Sequence, residues 1–277
     1  MDHGYLNDFR DRGYAVVRGV FDPAETAALA STFDAIWARA IAHGRSFRHK
    51  NVCYRLAADP AAGTIVRLAQ WCAYFDPVLA RIRVDPRMLA IVAPLIGRDV
   101  KQIINQLHWK PPGAAHAEFG FHQDIRFRRP RSAYRSLETS YVQTGIAVDP
   151  HRRANGAMTV LPGSHRLGEL AFAPDGRVME RSMSGDDLRA VGLDPAAAVD
   201  LELDPGDVAL WTVNLVHGSG PNRSAGDRRF YLNGYVRAAD CDRGEWAFRD
   251  GVPCPLGEPV LVHYEDLYRR PEPHYLD

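Results

Sequence analysis

Cysteine is scarce in this 277-residue chain. Cys53, Cys72, Cys241 and Cys254 stand far apart, with no CxxC spacing among them. That scatter argues against a disulfide framework or a cysteine-built zinc site and fits reduced thiols. An excess of charge is lacking too. The 34 Lys and Arg residues balance 34 Asp and Glu, so overall charge points to no nucleic-acid or membrane partner. No apolar run approaches the roughly 20 residues that cross a bilayer. Met1-Asp2-His3-Gly4-Tyr5 has neither the basic start nor the apolar stretch of a secretory signal. These absences predict a cytoplasmic protein. Repeats and low-complexity linkers are missing as well, and at 46% hydrophobic and 25% charged the composition is that of an ordinary folded protein. We expect one domain over residues 1–277; nothing in the chain speaks to oligomeric state.

What is present changes character along the chain. The first third reads as helical after a short β-branched run, Tyr14 to Val20. Asp22-Pro23-Ala24-Glu25 carries a capping aspartate, proline at the first helical position and glutamate three residues after the cap. Leu29, Phe33, Ile36, Trp37 and Ile41 follow at helical spacing, and Gly44 marks a stop. A second helix opens at Asp85-Pro86 and closes at Gly97. From Asp99 onward short β-rich runs alternate with Gly, Pro and Asp turns: Val100 to Lys110, Ser140 to Asp149, Ala157 to Leu161, Asp207 to Val213 and Arg229 to Val236. This pattern predicts a jelly-roll sandwich or barrel. A helical part over about 22–97 would buttress one sheet, the core would span about 99–240, and 241–277 would form a C-terminal extension. Residues 164–200, rich in glycine and poor in strand pattern, read as an insertion of the kind that forms lids or substrate loops near a barrel mouth.

The chemistry concentrates at His122, Asp124 and His217. In an extended strand residues two apart face the same side, so His122 and Asp124 can share one ion while Gln123 points away. His217 would arrive from another strand end, in a glycine-rich turn, His217-Gly218-Ser219-Gly220-Pro221-Asn222. Two imidazoles and one carboxylate occupy one face of an octahedron and suit ferrous iron, with positions left for a co-substrate and dioxygen. Arg228, at the head of the next strand, offers a fixed cation for a carboxylate.

These segments, in this order, resemble the phytanoyl-CoA dioxygenase family of iron(II)- and 2-oxoglutarate-dependent oxygenases. The resemblance rests on Gly13 to Phe21, Lys110-Pro111-Pro112-Gly113, Phe121-His122-Gln123-Asp124, Asn155 to His165, and His217 to Asn222 with Arg228. It implies a double-stranded β-helix (cupin-like jelly roll), Fe(II), 2-oxoglutarate and O2. It also implies His122, Asp124 and His217 as iron ligands, Arg228 on the far carboxylate of 2-oxoglutarate, and Ser219 as its hydrogen-bonding helper. Some relatives place a tryptophan where this chain has Gly145; Gln143, Thr144, Gln106 and His108 are candidates for the missing polar contact. Halogenating relatives carry Gly or Ala in place of Asp124, so hydroxylation with release of succinate and CO2 is expected here.

Arg126, Arg128, Arg129, Arg131 and Arg135, with Arg152 and Arg153, make a local basic concentration. Either it receives a small anionic substrate, Arg126 first because it continues the His122–Asp124 face, or the arginines pair with acids such as Glu138 and Asp149. His165 reads as a turn residue. Two other classes stay open: a jelly-roll binding protein without turnover, and a metal-dependent hydrolase or isomerase on a cupin-like barrel.

Overall fold

The computed structural model describes residues 4–114, 117–171, 183–259 and 274–275. Its helices are α1 (Gly4–Arg12), α2 (Pro23–Ile41), α3 (Pro77–Ile82), α4 (Pro86–Ile96), α5 (Leu137–Ser140) and α6 (Gly185–Ala190). The early strands are β1 (Tyr14–Val17), β2 (Phe47–His49), β3 (Val52–Asp59) and β4 (Gly63–Gln70). Eight strands follow in the middle of the chain: β5 (Val100–Lys110), β6 (Phe119–His122), β7 (Tyr141–Ala147), β8 (Met158–Val160), β9 (Val199–Asp200), β10 (Val208–Trp211), β11 (His217–Ser219) and β12 (Arg228–Arg237). Then come β13 (Glu245–Arg249), β14 (Val252–Pro253) and β15 (His274–Tyr275).

The eight middle strands divide between two antiparallel sheets. One holds β10-β7-β12-β5 and the other β6-β11-β8-β9, which is the jelly-roll arrangement the turn pattern predicts. The larger sheet is extended by β1 beyond β10 and by β4, β3, β2 and β15 beyond β5. Here the expectation of a helical stretch over 22–97 needs correction, because residues 47–70 are mostly strand. Their alternation is blurred by a register shift between Arg55 and Leu56, which masks the period-two signal. The turn between β3 and β4 is held by Asp59, whose Oδ1 accepts from the backbone N–H groups of Ala61 and Ala62, each at 2.9 Å, ahead of Gly63.

Asp22 builds the start of α2 as read, its side chain accepting from Glu25 N while Glu25 reaches back to Asp22 N. Leu29, Phe33 and Ile36 of α2 join Ile91 and Val92 of α4 against Val142, Ile146, Leu107 and Tyr231 on the outer face of the larger sheet. The inner face packs Ala147, Ala209, Trp211 and Phe230 against Met158 and Val160 of the smaller sheet. Strand parity therefore divides the larger sheet cleanly: odd-numbered residues of β7 look toward the site and even-numbered ones toward the helices. The four cysteines are free thiols, and among the described residues no helix is long and apolar enough to cross a membrane.

The 164–200 insertion is fastened beside the smaller sheet. Met183 bridges Phe121, and Leu161, Leu170, Met183, Leu188 and Val216 form a separate apolar cluster. Residues 172–182 of that stretch lie outside the described residues. His165 Nε2–H donates to Arg10 O at 3.1 Å, and its ring packs where a Cβ on Gly13 would sit. It is the structural turn residue that its loop suggested.

Candidate active site

His122, Asp124 and His217 come together, with one donor atom from each lying within 4.8 Å of the others. His122 ends β6 and pairs directly with His217 on β11. The expected glycine-rich turn at His217 is thus a strand, running between β6 and β8. Beyond His122 the strand parity argument holds for one residue only. Gln123 is extended, and Asp124 opens a 3-10 turn, Asp124–Phe127. That single extended residue is enough to put His122 and Asp124 on one side. Gln123 points away and is fully buried, its amide donating to Asn214 O at 2.7 Å and Gly168 O at 2.8 Å and accepting from Leu170 N. It locks the metal strand to the insertion.

A bulge in β6 shapes the pair. Two residues of β6, Gly120 and Phe121, stand opposite Gly218 alone, so Phe119 and His122 both face inward against Ser219 and His217. A Cβ on Gly218 would lie 2.8 Å from Phe119 O, so glycine there admits the bulged backbone.

The protons are arranged for ligation. His122 Nδ1–H donates to Gly120 O at 2.8 Å and His217 Nδ1–H to Leu215 O at 3.0 Å. A carbonyl oxygen can only accept, so each ring keeps its Nε2 lone pair free for an ion. Trp211 Nε1–H donates to Asp124 Oδ2 at 2.9 Å, leaving Oδ1, which lies 4.0 Å from the Nε2 of both histidines. Burial, then the neighbouring His217, lowers the His122 pKa to about 4. Burial pushes Asp124 up, but His217, Arg128, His122 and Trp211 outweigh it and leave the carboxyl below its usual range. At neutral pH His122 is neutral and Asp124 ionised, the protonation states that a ferrous ion requires. The donor set fits iron.

A second feature lies farther along the inner face. Arg228 pairs across β12 and β5 with Lys110, and both side chains are almost wholly buried, at 3% and 0% exposure. Burial lowers the Arg228 pKa to about 10 and pushes Lys110 well below its ordinary value. Neither has an ion pair with a carboxylate among the described residues. Arg228 donates to Gly156 O at 2.8 Å and 3.2 Å, while Lys110 donates to Ser219 Oγ at 2.7 Å and to Gly220 O. Two buried cations side by side, with a hydroxyl between them and the histidines, form a cradle for a dianion's carboxylate. Lys110 was visible in the sequence only as the residue before a Pro-Pro-Gly turn. Its signal was parity: it shares the face of Gln106 and His108.

Gln106 and His108 do line this face, bonded to each other at 3.2 Å, with His108 brought down to about pKa 3 by burial and the nearby cations. Thr144 does not. It shares the outer face with Val142 and Ile146 and spends its hydroxyl on Asn233 O at 2.8 Å. Gln143 faces inward but its carbonyl oxygen is taken by Tyr141 and Arg128. The volume of the tryptophan missing at Gly145 is filled from the next strand: a Cβ there would lie 2.2 Å from the Phe230 ring.

The basic run is mostly paired, though not with Glu138 or Asp149. Arg131 meets Glu169, Arg135 meets Asp242 at 2.8 Å, Arg152 meets Asp204, and Arg153 meets Asp200 at 3.4 Å. Asp149 serves Arg229 instead. Arg126 sits on the 3-10 turn, where a three-residue period places Phe127 rather than Arg126 beneath Asp124. Arg128 alone turns fully inward, 5% exposed and 3.9 Å from Asp124 Oδ2.

Known proteins share this architecture. A "Probable alpha-ketoglutarate-dependent hypophosphite dioxygenase" of Stutzerimonas stutzeri is 27% identical over 238 residues, covering 83% of this chain and 77% of the relative. Human peroxisomal phytanoyl-CoA dioxygenase is 27% identical over 60% of this chain, which spans about half (48%) of that protein. The crystal structure of EctD from S. alaskensis with 2-oxoglutarate and 5-hydroxyectoine superposes with a TM-score of 0.68 at 20% identity, over 91% of this chain and 87% of the other. The profile of the family described as Phytanoyl-CoA dioxygenase (PhyH) matches residues 9–230, a span that contains every ligand and both buried cations. The chain therefore belongs to the phytanoyl-CoA dioxygenase family and is a 2-oxoglutarate-dependent dioxygenase that uses iron.

Proposed function

We propose that this enzyme hydroxylates an unactivated C–H bond of a small anionic substrate, with release of succinate and CO2. The observation that carries the reading is the buried Lys110–Arg228 pair, which among the described residues has no carboxylate of its own, beside a His122–Asp124–His217 set whose free atoms converge. Lys110, Arg228 and Ser219 would hold the far carboxylate of 2-oxoglutarate. Its other end would then lie toward the histidines, with Gln106 and His108 along its side. A metal-dependent hydrolase or isomerase would have no use for this cationic pair. Bound ferrous iron would supply oxygen activation; the chain's residues supply orientation and a dry, charged pocket. Asp124 fills the position that a halide would need, and its bond from Trp211 keeps it there, which favours oxygen insertion.

Succinate release from 2-oxoglutarate, with ferrous iron and a panel of small anions, tests the proposal. The product is expected to carry one added oxygen. Arg228→Gln should raise the KM for 2-oxoglutarate roughly ten- to hundredfold, the worth of a charge-assisted hydrogen bond of about 1.5–3 kcal/mol. An unchanged KM, or succinate release that does not need iron, would refute the assignment.

A further inference from the structure

Arg128 is a buried cation that the co-substrate does not explain. Its Nη2 donates to Tyr141 OH at 2.6 Å and Gln143 Oε1 at 3.3 Å, and its guanidinium carbon lies 4.8 Å from the Tyr141 ring centre. Its Nε is buried and has no hydrogen-bond partner among the described residues. The nearest acid is Asp124 at 3.9 Å, beyond hydrogen-bond reach. Tyr141 and Gln143 therefore fix the fork from one side and leave a donor edge unsatisfied.

Register places this group at the opposite end of the site from Lys110 and Arg228. Gln143 pairs with Gly234 of β12, and Lys110 pairs with Arg228 of the same strand. Six residues separate those two positions, about 20 Å at the rise of an antiparallel strand. A five-carbon dicarboxylate seated on Arg228 lies at the near end of β12, while Arg128 is held over the far end by Gln143 and Tyr141. Trp211 starts level with Gln143, but its ring reaches back toward Phe230, 6.2 Å between ring centres, and bonds Asp124, so the metal set lies on the Arg228 side of Arg128. Once a divalent ion is bound through Asp124 Oδ1, that carboxylate's charge is engaged by the metal. Arg128 is then a buried charge without a counter-ion, a costly state that an arriving anion relieves.

We infer that Arg128, held by Tyr141 and Gln143, binds an oxyanion of the oxidised substrate, a carboxylate or phosphonate, on the side of the iron away from 2-oxoglutarate. The inference rests on the proposed co-substrate site and replaces Arg126 as the substrate-recognising arginine. It also implies order: metal first, then the anion.

Calorimetry on protein loaded with Mn(II) and saturating 2-oxoglutarate tests it without turnover. The probes are acetate and methylphosphonate, with acetamide as the neutral comparison. At least one anion is expected to bind tenfold or more tightly than acetamide to the wild type, and Arg128→Gln should erase that margin. The affinity for 2-oxoglutarate, measured first on the same samples, should change less than threefold. Arg128→Lys, which keeps the charge but not the fork, should fall between. Equal binding of acetamide and both anions in the wild type overturns the inference with no variant involved. So does an undiminished anion preference in Arg128→Gln, which would place the anion on the metal, or a parallel loss of 2-oxoglutarate, which would make Arg128 only a support for Asp124. Failure of the wild type to bind 2-oxoglutarate at all would sink the functional reading itself, and this inference with it.

Discussion

Trp211 shows how one hydrogen bond sets the chemistry of a ligand. Its indole N–H takes Asp124 Oδ2 and so commits Oδ1 to the ion. Trp211→Phe keeps an aromatic ring beside Phe230 but frees the carboxylate to rotate. Iron affinity should drop roughly 10–100-fold, the usual cost of losing an outer partner of a metal ligand. Titration with ferrous iron under anaerobic conditions checks this, and unchanged affinity would mean that Arg128 and packing alone hold Asp124. The tryptophan's role was not legible in the sequence. Trp211 reads there as one more apolar residue in Asp207 to Val213, and only the pairing of β10 with β7 turns its ring inward.

At the scale of elements, strand exchange of volume is the lesson of β7 and β12. Gly145 is small because Phe230 reaches across from the neighbouring strand into its place. Gly145→Ala should cost about 1–3 kcal/mol of stability through overpacking, read as a lowered thermal midpoint. Phe230→Leu in the same chain should return part of that loss, because the two positions contest one space. A purely additive pair would refute the account. Helix starts were readable, since the capping box at Asp22 needs only residues three apart. The strands of 47–70 were not, because a register shift breaks the alternation on which a sequence reading depends. Strand parity served well within β5 and β7 and as far as Asp124, and failed beyond it at Arg126, where a 3-10 turn changes the period from two to three.

For the whole molecule, burying histidines near cations has a consequence in pH. His108 falls to about 3 and His122 to about 4, burial being the first cause in each, and His151 is driven well below its ordinary value. In the unfolded chain these rings titrate near 6.5. Between pH 6.5 and 4 the unfolded chain takes up protons that the folded one refuses, so stability is full above about 6.5 and falls as the pH drops toward 4. The thermal midpoint of metal-free protein should decline over that range, and a flat profile would show that these histidines relax to solvent before unfolding.

Sequence alone pointed to the His122, Asp124 and His217 set that the fold brings together, to the jelly-roll class and to the start of the long helix. The helix start and the His122–Asp124 pair depend on residue type and short spacing, and the rest on the order of recognisable segments along the chain. Tertiary structure decided the rest. Lys110 becomes a partner of Arg228 only through the register of β5 with β12, and Arg128 becomes a site residue only because the turn after Asp124 points it inward to Tyr141 and Gln143. Arg131, Arg135 and Arg152 found acids at Glu169, Asp242 and Asp204. Charge in a sequence does not say which cations will be left without a counter-ion. That depends on which acids the fold brings within reach: among the described residues it left Lys110 and Arg228 with none and Arg128 with Asp124 alone, at 3.9 Å.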